Sequence, residues 1–524
     1  MNIIFRLTLV GMTTLAGCTT LPDDLGRSDV DAMAEQRGRN STAAESEQAR
    51  NDLISQLTAE PLDSEDAVRI TLLQNAGLQA SYAQLGFAAA DVYQAGRIRN
   101  PVIAASVLNP DVASEVNQIT LGLAASFTDL ITLPARKRLS AASFAAMKAA
   151  IGAEVMHKAA EAESAWYGYV GAQQVEALRR QLALAAQLSA QLAERYFNAG
   201  NINARELALE RAAASEARIH SLDAAAATLA ARTELATIMG LSSGEGWTVP
   251  GQLQLPLAQE DELPDLLALA EASRLDLAAA RAEADLLADQ LGVVNWTRWL
   301  GELEVGAERE RETDGSRLTG PTLAWEIPIF TQNRDQQLRA EAELRMAIAN
   351  VQGLLNEVDN SVRLAHADVQ HSRERISEYR NVLIPQRVET VARAQEELNY
   401  MLTGVFEVLA MKQQEYAAYQ EYLASVRDYW QSRSRLAMAV GSSLPSSQAT
   451  ESQIIDTGEL LQTSPDDVDH SGMDHSGMDH SDPEQSGPDH SDMNHSKMKP
   501  ADHNQHNEHS GHSGNPADDQ GAAA

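Results

Sequence analysis

Two long stretches of this chain, about 66–240 and 265–441, carry one layout: amphipathic helix, strand, short loop, strand, then a very long helical hairpin. They align at an offset of about two hundred residues, and such self-similarity limits the fold before any single residue is weighed. Asn75-Ala76-Gly77-Leu78 stands opposite Arg274-Leu275-Asp276-Leu277, and the strand ending near Phe127 stands opposite the one ending near Phe330. The segment Arg195 to Gly200 stands opposite Asn399 to Gly404. The expected class is mainly α with a small β part, built as a tandem repeat.

Composition agrees with long packed helices. Aromatics make up only 5 % of the 524 residues, while Ala, Leu, Gln, Glu and Arg crowd the middle. A formal charge of −33 argues against nucleic acid as a partner. The one cysteine, Cys18, leaves no disulfide within the chain. Arg6, the apolar run Leu7 to Ala16, and Leu15-Ala16-Gly17 before Cys18 read as a secretory signal peptide over 1–17. Leu-Ala-Gly-Cys also resembles the bacterial lipobox. That resemblance implies cleavage before Cys18, acylation of its sulfur and a lipid-anchored polar arm over 18–60. An ordinary signal peptide with an incidental cysteine is the alternative. Thr19 follows where an Asp would favour the inner membrane, so outer-membrane delivery is expected.

The repeats are placed at 61–255 and 256–446. Ser64-Glu65-Asp66 opens a helix expected to run to about Arg99 and stop at Asn100-Pro101. Four alternating segments follow in two pairs. In Asn117 to Phe127, Ile119, Leu121, Leu123, Ala125 and Phe127 share one face. Its partner, near Val102 to Leu108, alternates poorly. Leu303, Val305 and Ala307 oppose Glu302, Glu304 and Glu308; after a turn at Asp314-Gly315-Ser316, Leu323, Trp325 and Ile327 oppose Thr322, Ala324 and Glu326. About ten residues of this period suit a transmembrane β-strand. A half-buried strand in a soluble sheet is the commoner use of the pattern. Four strands cannot close a barrel, and an open edge in lipid is not viable, so membrane strands must be pooled among copies. Glu302, Glu304, Glu308 and Glu326 then face a lumen and favour cations, or serve equally as a solvated polar wall.

The proline-free run from 135 to 249 carries two helical stripes: Val175, Leu178, Leu182, Ala185, and Leu184, Leu188, Leu192, Tyr196. Two stripes mean a helix packed on more than one side. Asn198 to Asn201 reverses the chain, and Gly240 to Pro256 links the repeats. The second hairpin spans about Asn333 to Gly441, with Pro385 expected to kink or stagger it.

These pieces in order resemble the TolC family of outer-membrane efflux factors over about 60–445. Asn100-Pro101 closes the first helix. Trp325-Glu326-Ile327-Pro328-Ile329-Phe330 is similar to the family's strand-ending segment. Tyr196 to Gly200 with Glu206-Leu207, and Gly404-Val405-Phe406-Glu407-Val408-Leu409, resemble its helix-tip signature. The exit Ser126 to Pro134 lacks the family's Asp-Gly-Gly turn, and Thr331-Gln332-Asn333 replaces it in the second repeat. The form Gly404-Val405-Phe406-Glu407 resembles the heavy-metal branch. The resemblance implies a homotrimer in the outer membrane. Four strands per subunit form a shared barrel, and the hairpins form an α-helical barrel in the periplasm. A periplasmic adaptor and an inner-membrane pump are the implied partners, with the adaptor docking at the tips near Gly200 and Gly404.

The tail, 447–524, loses the apolar pattern. It repeats Met-Asp-His-Ser-Gly and gathers nine of the thirteen His. His470, Met473, His475, Met478, His480, His490, Met493, His495, Met498, His503, His506, His509 and His512 mix imidazole with thioether. That donor set suits copper or silver. A solvated low-complexity tail is the alternative. Such a segment buries too little apolar surface to fold alone. His157, His220, His366 and His371 read as ordinary helix residues. No phosphate loop, HExxH or nucleophile elbow is present, so no catalysis and no required cofactor are expected. The function expected is the outer-membrane channel of a tripartite efflux system for copper or silver. A conduit for drugs or secreted protein, or a periplasmic metal-buffering lipoprotein, are the alternatives.

Overall fold

The computed structural model describes residues 24–39, 46–111, 114–244 and 246–448. The described residues all lie within one unit, Met1–Thr463. Cys18 and the tail's His and Met residues lie outside them.

Two short helices, α1 (Arg27–Glu35) and α2 (Glu47–Leu57), precede a series whose order occurs twice. The first passage is α3 (Ser64–Gln74), α4 (Ala76–Ala95), β1 (Val102–Leu108), β2 (Gln118–Ser126), α5 (Phe127–Asn198) and α6 (Ala204–Met239). The second is α7 (Leu263–Ser273), α8 (Leu275–Thr297), β3 (Glu302–Arg311), β4 (Arg317–Glu326), α9 (Arg334–Glu378), α10 (Ile384–Asn399) and α11 (Val405–Val440). At about 1.5 Å per residue, the 72 residues of α5 reach roughly 108 Å.

The helix expected from Ser64 to Arg99 is two helices. Asn75 leaves the helical region (φ −58°, ψ 119°), and its carbonyl-side oxygen caps α4 by accepting from the Leu78 amide at 3.0 Å. Its amide nitrogen donates to the Ile238 carbonyl at 2.8 Å, in the last turn of α6. Arg274 does the same work in the second passage: it separates α7 from α8 and donates to the Ala439 carbonyl at 3.0 Å. Each junction thus fixes a short helix to the end of its returning helix. Gly240 and Gly441 end those helices in the left-handed region, at φ 72° and 74°. A Cβ on Gly240 would stand 2.9 Å from the Gln74 carbonyl oxygen.

Two prolines act differently. Ser126 to Pro134, expected as a strand exit, is the first part of α5, with Pro134 inside it. Ser126 caps this helix by accepting from the Asp129 amide at 3.2 Å. Pro385 has the expected local effect. It cannot donate a hydrogen bond, and the preceding turn, Tyr379–Leu383, widens to a π-helix that makes room for its ring.

The core lies midway along the long helices, where α3, α7 and the link 241–262 pack on them. Three tryptophans pin extended segments there. Trp166 donates to the Leu62 carbonyl at 2.8 Å, Trp430 to Gln254 at 2.8 Å, and Trp247 to Ser242 at 3.3 Å. Beside them sits a buried ion pair, Arg433 with Glu260, whose side chains are 5 % and 3 % exposed. Tyr429 donates to Glu260 and accepts from the Leu257 amide at 3.0 Å, while Ser446 bonds Asp261 at 2.6 Å. Burial, then the neighbouring Glu260 charge, pushes the Tyr429 hydroxyl well above its usual range.

Removing one partner leaves the other charge buried and unpaired. Arg433→Met is therefore expected to lower unfolding stability by about 3–5 kcal/mol, measured by denaturant unfolding of the detergent-solubilised protein. Asp276 supplies a pH test. Burial pushes its carboxyl up, but the hydrogen bonds and charge of Arg274 outweigh that and hold it below the ordinary range. Its stabilisation is complete above the unfolded value of about 3.9 and fades as pH falls through the lower folded value. The gap in melting temperature between wild type and Asp276→Asn should close on acidification below about pH 4.

Candidate functional site

The strands form one antiparallel sheet in the order β1-β2-β3-β4. Register decides its two faces. Ile103 pairs with Leu123, Leu123 with Ala307, Ala307 with Pro321. Val107 with Ile119, Ala125 with Val305, and Leu303 with Trp325 extend the same face. It is apolar and solvent-facing in the single chain: Ile103 is 77 % exposed and Leu323 68 %. Water does not favour such a surface on a folded sheet. Tyr93, Trp296, Trp299 and Trp325 gather at the helix end of the sheet and are also exposed. Arg97 lies 3.9 Å from the Tyr93 ring centroid and Arg298 4.6 Å from that of Trp299. Aromatic rings with polar neighbours at the end of an apolar strand face are the composition of a membrane interface.

The opposite face is polar. Glu302, Glu304, Glu308 and Glu326, the four acids expected to share a face, do share one. Glu302 stands directly opposite Glu326. Glu310 continues the row and accepts a hydrogen bond from Gln118 on β2. Sequence reading missed it, although simple alternation from Glu302 reaches it. The flanking positions are small: Gly122 pairs with Glu308, Ala124 with Gly306, and Ala324 with Glu304. Glu302 and Glu304 are exposed, Glu308 and Glu310 half-buried, and Glu302 lies 3.9 Å from the Arg99 guanidinium. Leu303, Val305 and Ala307 take the apolar side, also as the alternation requires.

The sheet is braced to the helices below it. Asp129, 3 % exposed, accepts two bonds from the Arg99 guanidinium, one at 2.8 Å from Nη2. The guanidinium fork fits both carboxylate oxygens. The Leu303 amide donates to the Thr128 hydroxyl at 2.8 Å, tying β3 to α5. Trp325 donates to the Leu300 carbonyl at 2.9 Å, and Asn333 to Arg298 at 2.9 Å. Gly301 makes this crossing feasible. Its φ is +62°, and a Cβ there would lie 1.9 Å from the Glu326 carbonyl oxygen.

At the other end of the long helices, the two tips close by the same hydrogen-bond motif. The Asn201 amide donates to Tyr196 and the Gly200 amide to Phe197, at 2.8 and 2.9 Å. Leu402 donates to Glu397 and Met401 to Leu398, at 2.9 and 3.0 Å. Gly200 is the left-handed residue of the first tip, at φ +78°, as expected. In the second tip Met401 holds that place, at φ +59°, and Gly404 does not. Gly404 is extended (φ −92°, ψ 154°) and precedes α11, the position that Asn203 fills before α6. The sequence alignment of the tips is thus three residues out. Tyr196 and Phe406 meet edge to face at 6.2 Å and place the tips together. Tyr400, Met401 and Leu402 project beyond them, with Met401 92 % exposed. Three successive apolar residues in a loop were the available signal for this knuckle.

Among the described residues, no group of three or more His, Cys, Asp or Glu is arranged to hold a metal ion. His157 and His371 lie 3.9 and 3.7 Å from Glu161 and Glu374 on their own helices, and His220 is on α6.

No protein-family model matches the sequence, and no curated protein does. Solved structures do. The Campylobacter jejuni outer-membrane channel CmeC superposes with a TM-score of 0.61 at 14 % identity, over 80 % of this chain and 92 % of that one. VceC, an outer-membrane protein of Vibrio cholerae, gives 0.60 at 16 %, over 72 % and 96 %. CusC, described as undergoing transmembrane channel formation, gives 0.61 at 16 %, over 72 % and 92 %. The chain therefore has the fold of these outer-membrane channel proteins.

Gly301 and Gly404 should respond oppositely to a methyl group. Gly301→Ala forces a side chain into a left-handed turn against backbone, a cost of order 1–3 kcal/mol before the clash is counted. Gly404→Ala sits in extended backbone with nothing within 4 Å of the added carbon. Folded yield in the membrane fraction should fall sharply for the first and stay at wild-type level for the second.

Proposed function

We propose that this chain is the outer-membrane channel of a tripartite efflux assembly, working as a homotrimer and belonging to the TolC family. The observation that carries the reading is the sheet: an exposed apolar face, an acidic polar face, and two edge strands, β1 and β4, without a second partner among the described residues. Lipid offers no hydrogen bonds to such edges, so β4 of one copy pairs with β1 of the next and the barrel closes. The glutamates then line its lumen.

The long helices support the same assembly. Leu178, on one of the two stripes of α5, is buried within the chain at 2 % exposure. Leu184 and Leu188 on the other stripe are 59 % and 64 % exposed. On α6, Leu209, Leu222 and Leu229 are open as well. A second copy covers these positions in the proposed trimer. The knuckle Tyr400-Met401-Leu402 is the apolar surface offered to a periplasmic adaptor, which links the channel to an inner-membrane pump. Transport energy comes from that pump, because the chain carries no catalytic constellation; the channel itself is not an enzyme.

Cys18 is proposed as the acylated residue that anchors the mature chain. Copper or silver is the proposed cargo, on the strength of the tail's His and Met donors alone. Those donors, His470 to His512 with the interleaved Met, bind the ions transiently. The experiment for cargo pairs calorimetry of copper with the 464–524 peptide and metal tolerance of a strain truncated after Thr463. Micromolar binding and loss of tolerance to copper or silver, without loss to antibiotics, are expected. Unchanged tolerance would leave drugs as the better cargo.

Planar-bilayer recording tests the channel itself. Replacing Glu302, Glu304 and Glu308 by Gln should reduce the preference for K⁺ over Cl⁻ severalfold with the channel still open. A protein that inserts no conductance in any form would overturn the reading. Leu188→Asp should lower the trimer fraction in native mass measurements.

A further inference from the structure

We infer that Arg309, Arg311 and Arg317 form a binding site for the phosphate groups of an outer-leaflet lipid, on the outward face of the sheet. The inference rests on the membrane placement proposed above. All three residues share the apolar face: Arg311 stands directly opposite Arg317, and Arg309 is two positions along β3. They occupy the hairpin end. Counting from Leu303, Arg309 and Arg311 lie roughly 20 and 27 Å along the strand at about 3.4 Å per residue. The aromatic residues mark the opposite end of that face. The guanidiniums therefore sit where an apolar band about 25 Å tall gives way to headgroups.

Two cations facing each other across adjacent strands repel. Among the described residues none of the three arginines has an ion-pair partner. The nearby carboxylates are engaged elsewhere. Glu310 is on the other face with Gln118, Glu312 accepts from the Ser316 hydroxyl at 3.2 Å, and Asp314 accepts from the Ser316 amide at 2.7 Å. An external anion is what the arrangement lacks. Guanidinium forks fit phosphate oxygens in pairs, which ammonium groups do not. Thr319, opposite Arg309, adds a hydroxyl. On the next strand Ile119 and Leu121 pair with Arg311 and Arg309, and Leu121 is 51 % exposed. Cations and an apolar wall at one height fit a molecule with both phosphate and acyl chains.

The test uses the full-length protein extracted from the outer membrane, with bound lipid counted by native mass spectrometry. The probes are diphosphoryl lipid A, its dephosphorylated form, and inorganic phosphate as competitor. The triple variant R309Q/R311Q/R317Q should retain at least tenfold less diphosphoryl lipid A than wild type. The triple Lys variant should fall between. The dephosphorylated form should bind weakly and equally to all, and millimolar phosphate should not displace the lipid. Equal retention by wild type and the Gln variant would overturn the site, as would equal binding of the dephosphorylated lipid or displacement by free phosphate. Should the triple variant not assemble, Arg317→Gln, at the exposed start of β4, is read instead. A severalfold loss upholds the site and no loss overturns it. Recovery of wild type from the outer-membrane fraction as a trimer reports separately on the channel reading, so the two can fail independently.

Discussion

Backbone hydrogen bonding at the edges of the sheet governs the rest of this molecule. Among the described residues of one chain, β1 and β4 each leave a row of amides and carbonyls without a strand partner. Water would satisfy them, but water would also face Ile103, Leu121, Leu123 and Leu323, which are all at least half exposed. The two demands conflict in any soluble monomer. They are reconciled when the apolar face meets lipid and the edges meet other copies. The same step covers Leu184, Leu188, Leu222 and Leu229 on the helices, since copies that share strands must also bring those helices side by side. One constraint thus accounts for exposed apolar surface in two parts of the chain that have no contact with each other.

The core midway along the helices has a different task. Four long helical segments of alanine-rich surface slide easily against one another, because small side chains interdigitate weakly. The Arg433–Glu260 pair, Tyr429 and Ser446 do not slide: each has a specific partner, and a shift of one turn strands a buried charge. Buried ion pairs add little net stability over a well-packed apolar core. Their contribution here is register. The Asn75 and Arg274 junctions fix register a second time, by holding the ends of the returning helices through their last carbonyls.

Much of this was legible in the residues. Alternation placed β2 and β3 within a residue or two and sorted their faces correctly, because a period of two fixes which residues share a face; β1 alternated poorly, and the last strand, expected to end near Phe330, ends at Glu326. Pro385 marked its π-turn. The failures share a cause: the deciding partner is distant in sequence. Asn75 reads as an unremarkable helix residue until the Ile238 carbonyl is known to lie beside it. Ser126 to Pro134 lacks the expected turn residues, yet it becomes helix because Ser126 caps it and Arg99, on another segment, secures Asp129. Gly404 drew attention as a glycine, while the left-handed position fell to Met401. The closing hydrogen bonds from Leu402 and Met401 impose that conformation whatever the side chain. The His and Met donors of the tail and Cys18 lie outside the described residues, and their roles still rest on sequence chemistry.

The distribution of charge within the sheet carries the last step. The polar face of β1 and β2 is built from Ala104, Ser106, Thr120, Gly122 and Ala124, and that of β3 from glutamates. In the proposed closed trimer small side chains flank most of each acidic β3, with Glu326 of β4 beside Glu302 and the apolar Val102, Leu108 and Leu318 on the same face, so charge concentrates in tracks along β3 rather than as an even coat. Gly306 interrupts each track, and on either side of it the paired carboxylates, Glu302 with Glu304 and Glu308 with Glu310, stand about 7 Å apart. That spacing is shorter than the screening length at physiological ionic strength, about 8 Å. A cation leaving one carboxylate of a pair is already within reach of the other, while the small residues between tracks leave width for water and larger solutes. Such a wall biases passage toward cations without forming a tight site anywhere along it. The proposed conduit must release what it carries and so needs that combination, because strong binding would hold the cargo inside.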